Sequence, residues 1–211
     1  MINNHHKATT RKYLERMNDE KVQCMKIASL YEEEYWDGDR RFGYGGYSYD
    51  GRWESTAKEL ITKYKLTSTS KVLDIGCGMG HLIYEIKKIL DCEVQGLDIS
   101  EYAKNKSIIG EKIKIYDVQD GLNYNENEFD LVLSIMTLHN FPVHKLHPLI
   151  KDIEKIGKEK FIAVESFRSD VELFNLQCWA LTCQSFLSPE SWQWIFNESG
   201  YTGDFEFLYF E

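Results

Sequence analysis

Asp74, Gly76, Gly78 and Gly80 stand in the stretch VLDIGCGMGH, at a spacing that suits one kind of chemistry: holding the polar end of a ligand against backbone. Glycine lets the chain turn sharply after a buried strand and lets a ligand come close to it. Two patterns compete for such a loop. A dinucleotide site spaces its glycines G-x-G-x-x-G and sets a pyrophosphate at the next helix N-terminus. Here the spacing is G-x-G-x-G, His81 stands where that pattern wants Gly or Ala, and Asp74 lies two residues before the first glycine. A carboxylate there repels a pyrophosphate and suits a cationic or amine-bearing ligand. Cys77 reads as a small side chain within the loop.

Other chemistry-bearing residues stand at predicted strand ends. Asp98 closes CEVQGLDIS, and Asp117-Val118 closes the strand in EKIKIYDVQD. His139 and Asn140 leave EFDLVLSIMTLHNF, and Glu165 ends EKFIAVESF. His139 and Glu165 are candidate general bases, although a lone histidine also suits a packing role. Upstream, RRFGYGGYSYDGRW gathers Arg40, Arg41 and Arg52 with Tyr44, Tyr47 and Tyr49. Those arginines, with His144, could grip an anion, or each could be a solvated surface charge.

The elements that must carry these residues follow from periodicity. Residues 11–35 read as a charged helix, 36–51 as a loop and 52–65 as a second helix. The strands 71–76, 92–100, 111–120, 128–141 and 159–167 then alternate with helices at 81–90, 101–108 and 146–156. A helix at 188–199 has Ser188 as N-cap, Pro189 at its first position and Gly200 past its end. TGDFEFLYFE closes with a strand. Strands separated by helices imply a parallel sheet with right-handed crossovers.

Composition bounds the function. The chain has 211 residues, enough for one domain with a full core, and 43% of them are apolar. Its net charge of −9 argues against binding a phosphate backbone. No stretch is apolar enough to span a membrane, and the polar N-terminus lacks a signal-peptide core. Five scattered cysteines without a CxxC pair read as reduced thiols of a cytoplasmic protein with no metal site.

The pattern D-x-G-x-G-x-G after the first strand, together with Asp98, Asp117-Val118 and FDLVLSIMTLHNF, resembles the motifs of class I S-adenosylmethionine-dependent methyltransferases over roughly residues 68–167. The resemblance implies an α/β, Rossmann-like fold: a mostly parallel sheet with helices on both faces and an N-terminal helical lid. The chain would be a single domain, with residues 1–66 supplying helices and the Gly/Tyr-rich lid loop and 67–211 the α/β core. The implied cofactor is S-adenosyl-L-methionine, giving S-adenosyl-L-homocysteine. Asp74 and the loop residues Gly76, Cys77, Gly78 and Gly80 would face its methionine end. Asp98 and Ile99 would face the ribose, Asp117 and Val118 the adenine, and Ser134 and Ile135 would approach the cofactor from strand four. The family usually adds an antiparallel hairpin after the last helix. Only one clear strand is predicted here, so either 177–187 supplies the other or the edge is reduced. The hydrophobic final strand is expected to be paired in the sheet or covered in a dimer.

The flanks, YWDGDRRFGYGGYSYDGRW and LFNLQCWALTCQSF, resemble those of small bacterial methyltransferases from capsule and cell-surface polysaccharide clusters, including those of the methyl phosphoramidate decoration. With the three arginines of the Gly/Tyr-rich stretch, this points to a small acceptor that is anionic or linked to phosphate, nucleotide or sugar. His139, Glu165, Tyr47 and Tyr49 are then the candidate catalytic residues, and Arg40, Arg41, Tyr44, Arg52 and Asn140 the acceptor-binding ones. The protein would act as a monomer or homodimer, with no nucleic-acid or membrane partner. A nicotinamide-dependent oxidoreductase and a non-catalytic interaction protein on the same fold stay open as alternatives.

Overall fold

A computed structural model describes Ile2 and residues 10–211; the other residues of the polar N-terminus, 1 and 3–9, lie outside the described residues. Among the described residues, six strands form one sheet in the order β3-β2-β1-β4-β5-β6. They are β1 (Lys71–Ile75), β2 (Glu93–Asp98), β3 (Ile113–Ile115), β4 (Phe129–Ile135), β5 (Gly157–Glu165) and β6 (Asp204–Leu208). Every neighbouring pair is parallel. The chain runs outward from β1 to β3 and then returns to β1's other side as β4. That reversal opens a crevice beyond the C-terminal ends of β1 and β4.

The helices are α1 (Tyr13–Asn18), α2 (Lys21–Ala28), α3 (Glu33–Trp36), α4 (Glu54–Lys63), α5 (His81–Leu90), α6 (Glu101–Lys106), α7 (Val143–Ile156), α8 (Asp170–Trp179) and α9 (Pro189–Glu198). Period-two burial in β1 sends Val72 to one face and Leu73 and Ile75 to the other. On the first face Val72, Leu131 and Phe161 meet Leu60 of α4 and Ile83 and Ile86 of α5, with Ile2 in the same cluster. On the other face Leu73, Val132 and Ile162 meet Leu149 and Ile153 of α7 and Trp192 and Phe196 of α9. Both faces of the sheet are thus covered, as an all-parallel sheet requires.

Several predicted elements are corrected. Residues 11–35 form three short helices, because Glu20 and Tyr31 adopt positive φ, 45° and 53°, and break the run. The third strand keeps only Ile113–Ile115, after which Asp117 caps a short 3-10 turn over Val118–Asp120. No hairpin follows α9. Residues 177–187 continue α8 and then run irregularly, and β6 pairs parallel with β5 from Phe161↔Asp204 to Glu165↔Leu208. The final strand is therefore paired within the sheet. Helix α9 begins as expected, with the Ser188 hydroxyl accepting from the Ser191 N–H and Pro189 in the first turn, and Gly200 past its end has φ 70°.

Candidate active site

The glycine loop forms because β1 ends where β2 can hold it. The Gly76 and Cys77 N–H groups donate to the Leu97 carbonyl at 2.8 and 3.1 Å. Gly76 has φ 73°, and a side chain there would overlap Thr137. Gly78 has φ 55°, and a Cβ on it would lie 2.8 Å from Cη2 of Trp36. Loop and lid thus fit against each other through the missing side chain. Gly78→Ala would have to adopt a left-handed backbone and displace the indole. It is expected to cost about 1–3 kcal/mol of stability and to loosen residues 36–47, read as faster amide hydrogen exchange there.

The acids stand around this loop. Asp98 Oδ2 accepts from the Gly78 N–H at 2.6 Å and Oδ1 from the Ser100 N–H at 2.9 Å. Asp117 Oδ1 accepts from the Gln119 N–H at 2.9 Å, which sets Val118 beside the crevice. Asp74 is buried, and among the described residues its carboxylate meets no cation and accepts no hydrogen bond. Burial, and then the charge of Asp98, pushes Asp74 up to about 7. Asp98 is also raised by burial, against the pull of the Ser100 and Gly78 N–H groups.

These groups open onto a cavity of about 330 Å³, a size common for small-molecule sites. One side carries Asp74, Gly76, Cys77, Gly78, Asp98, Ile99, Asp117 and Val118. Much of the remaining lining is aromatic: Tyr31, Tyr35, Trp36, Tyr44, Tyr47 and Trp53, with His81, Met136, Asn140, Thr182 and Gln184. The lid is ordered by its own contacts. Trp36 Nε1 donates to the Tyr31 carbonyl and to Ser100 Oγ, both at 3.0 Å. Tyr44 stacks on Trp36 with centroids 5.2 Å apart and 2° between planes. Tyr47 lies 4.5 Å from Tyr44 and stacks on His81 at 5.0 Å, while Trp53 Nε1 donates to its hydroxyl at 3.1 Å.

The structure brings most of the expected cofactor residues to one cavity, together with Tyr44, Tyr47 and Asn140, but not the others. Ser134 is fully buried, and Ile135 rather than Ser134 lines the cavity, because side chains alternate along β4. Gly80 caps α5 behind the wall. His139 and Glu165 face each other instead of the cavity. His139 Nδ1 accepts from the Glu165 N–H at 3.2 Å, and its Nε2 lies 3.4 Å from Glu165 Oε2. Burial drives His139 down to about 3, so its ring is neutral. Burial pushes Glu165 up to about 7, opposed by Arg11 and Lys21. This pair clamps β4 to β5 rather than offering a base to the cavity. Tyr49 also lies off the wall, its phenol donating to Glu85.

The arginines are engaged elsewhere. Arg41 pairs with Asp19 and Glu20, each at 2.8 Å, and Arg52 pairs with Asp50 at 2.6 Å. Arg40 donates to the Gly43 carbonyl and lies over the Trp179 ring at 5.1 Å. None of the three lines the cavity. Residues that sequence reasoning missed include Tyr31, Tyr35, Thr137, Thr182 and Gln184. Thr182 and Gln184 sit on the irregular segment after α8, where no period or motif marks them. Thr182 donates to Asn140 Oδ1 at 2.8 Å, and Gln184 Nε2 to the Asn140 carbonyl at 2.8 Å.

The residues present fit the cofactor implied by the motifs. Asp74 is a buried carboxyl group lacking a cation, Asp98 is a carboxylate at the tip of β2, and the glycines leave room for close approach. A parallel sheet with this loop at its switch point and these acids at the tips of β1 to β3 defines a class I S-adenosylmethionine-dependent methyltransferase. Residues 49–204 match the profile of a family described as "Methyltransferase domain", and the chain belongs to that family.

The chain is 35% identical over 106 residues to phosphoethanolamine N-methyltransferase 1 of Triticum aestivum, covering 47% of this chain and 21% of that one. It is 31% identical over 108 residues to the mitochondrial arginine-hydroxylase NDUFAF5 of Rattus norvegicus, covering 50% of this chain and 31% of that one. The match thus spans about a third or less of those relatives' lengths. Among solved structures, YcgJ of Bacillus subtilis superposes with a TM-score of 0.55 at 16% identity, covering 69% of this chain and 67% of that one. A geranyl diphosphate C-methyltransferase of Streptomyces coelicolor A3(2) gives 0.56 at 11% identity, covering 69% and 59%. These likenesses show the fold.

Proposed function

We propose that this protein transfers the methyl group of S-adenosylmethionine to an oxygen or nitrogen of a small acceptor, as one domain over residues 1–211. We further propose that it acts in the cytoplasm as a monomer or homodimer, on a metabolite destined for a bacterial capsule or another cell-surface carbohydrate. That setting rests on the resemblance of the flanks. The anionic character suggested for the acceptor finds no support in the cavity wall, where no Lys or Arg stands among the described residues. The wheat relative's name keeps nitrogen among the acceptor atoms. No described helix is long and apolar enough to cross a membrane.

The observation that carries the reading is Asp74, a buried carboxylate beside the glycine loop with no cation of its own. It would hold the ammonium of the donor's methionine end, while Asp98 would accept from the ribose hydroxyls with its remaining lone pairs. When bound, S-adenosylmethionine supplies a methyl already activated by its sulfonium. The chain's own work is then to orient the reactants and exclude water, and positioning alone can supply about 7–11 kcal/mol. The rings of Trp36, Tyr44 and Tyr47 close the cavity for that purpose. Titration with S-adenosylhomocysteine and with NAD tests the assignment. S-adenosylhomocysteine is expected to bind and NAD not; NAD binding without it would return the fold to the oxidoreductase alternative.

A further inference from the structure

We infer that the methyl acceptor is an amine, drawn in as its ammonium, and that the aromatic wall of Tyr35, Trp36, Tyr44 and Tyr47 selects it. This rests on the methyltransferase reading of the same cavity.

Charge is the first ground. The lining carries the carboxyl groups of Asp74, Asp98 and Asp117, and no Lys or Arg stands among its described residues. The arginines nearest in sequence are held by Asp19, Glu20 and Asp50, or lie over Trp179; Arg52, paired with Asp50, also reaches to 6.0 Å from the Tyr47 ring centroid. An anionic acceptor would enter a field of its own sign, with no Lys or Arg on the lining to hold it. An ammonium would enter a favourable one.

Proton chemistry is the second. An alcohol needs a base to attack, and the one imidazole on the described lining, His81, has its ring face stacked on Tyr47 at 5.0 Å. His139 and Glu165 face each other behind the wall. Burial raises the phenols of Tyr35, Tyr44 and Tyr47, so they keep their protons. An amine needs no protein base, because its ammonium gives the proton to water and the free lone pair remains. That lone pair forms the N–C bond, the methyl–sulfur pair leaves with sulfur, and the surplus proton on nitrogen goes to solvent.

The rings are the third ground. Tyr35, Trp36 and Tyr44 touch pairwise at 5.1 to 5.4 Å between centroids, and Tyr44 meets Tyr47 at 4.5 Å. Ring faces attract a cation within about 6 Å. During the transfer, positive charge passes from sulfur to the acceptor nitrogen. A wall that favours a cation on the acceptor therefore stabilises the transition state more than a neutral ground state.

The donor's own sulfonium could claim the same rings, so the test uses protein saturated with S-adenosylhomocysteine, which lacks that charge. Calorimetric titration with choline, with its uncharged carbon isostere 3,3-dimethylbutan-1-ol and with inorganic phosphate reads the selectivity. Choline is expected to bind about tenfold tighter than the isostere. Tyr44→Leu should lose about tenfold in choline affinity while Tyr44→Phe stays within about threefold, with S-adenosylhomocysteine affinity kept in both. Equal affinity for choline and the isostere, tighter binding of phosphate, or no choline binding overturns the inference, and the wild-type ratio decides this even if Tyr44→Leu does not fold. Failure of the wild type to bind S-adenosylhomocysteine is a separate outcome: it removes the methyltransferase reading and the amine inference with it.

Discussion

Asp98→Ala is expected to abolish measurable S-adenosylhomocysteine binding, a loss of at least about 100-fold, while the chain stays folded. The carboxylate does two jobs in the structure. It accepts the Gly78 N–H at 2.6 Å and the Ser100 N–H at 2.9 Å, which ties the glycine loop to the tip of β2. On the proposed assignment, its remaining lone pairs would accept from the donor's ribose hydroxyls. Alanine leaves two buried N–H groups without partners, at about 1–3 kcal/mol each, and removes the acceptor for the ligand. The core of the sheet is not touched, because Leu97 and Val94 keep their packing. Circular dichroism should show native secondary structure, and calorimetry should show no binding. Affinity within about threefold of wild type would defeat the assignment of Asp98 to the ribose.

Asp74→Asn should stabilise the ligand-free protein above neutral pH and still cripple donor binding. In the folded chain Asp74 holds its proton up to about 7, against an ordinary value of 3.8. Between those values the folded state binds more protons than the unfolded one, so stability falls as pH rises through that window. The favourable contribution is complete below pH 4 and gone above pH 7. At about 1.4 kcal/mol per pH unit the linkage reaches at most about 4 kcal/mol. Asparagine removes the buried charge, and a gain of about 2 kcal/mol at pH 8 would raise Tm by roughly 4–8 °C. The same linkage acts on the ligand. The wild-type carboxyl must ionise to meet the donor's ammonium, so S-adenosylhomocysteine affinity should weaken as pH drops below about 7, and the Asp74→Asn variant should lose most of that dependence. Thermal melts and calorimetry at pH 6 and 8 read both effects. An Asp74→Asn protein that binds like the wild type would disconnect Asp74 from the ligand.

The two predictions concern residues legible in the sequence, and there is a physical reason. A glycine loop and strand-end acids act through backbone geometry over a few residues. β1, the loop and α5 follow one another directly, and the acid at the tip of β2 is one crossover away. Local spacing therefore carries the information. The alternation of strands and helices and the parallel sheet were legible for the same reason, since two periods and short connections leave few topologies.

Other features depend on residues far apart in the chain. His139 and Glu165 both lie at strand exits, which in sequence looks like access to the crevice. In the structure the Glu165 N–H turns the histidine ring toward its own carboxylate, and the pair closes on itself at 3.2 and 3.4 Å. Arg41 looked free to hold an acceptor until α1 and α2 brought Asp19 and Glu20 against it. Tyr31 and Thr182 come from opposite ends of the chain, and they face one cavity only because α2 and the segment after α8 pack beside the same strand exits. The sequence by itself determined the sheet, the glycine loop and the acids that define the donor side, because those are set by short-range periodicity and backbone need. The tertiary structure alone decided which arginines are already paired, which bases are turned away and which rings line the cavity. Those depend on charges and side chains brought together by the packing of separate elements, where no local pattern records the partner.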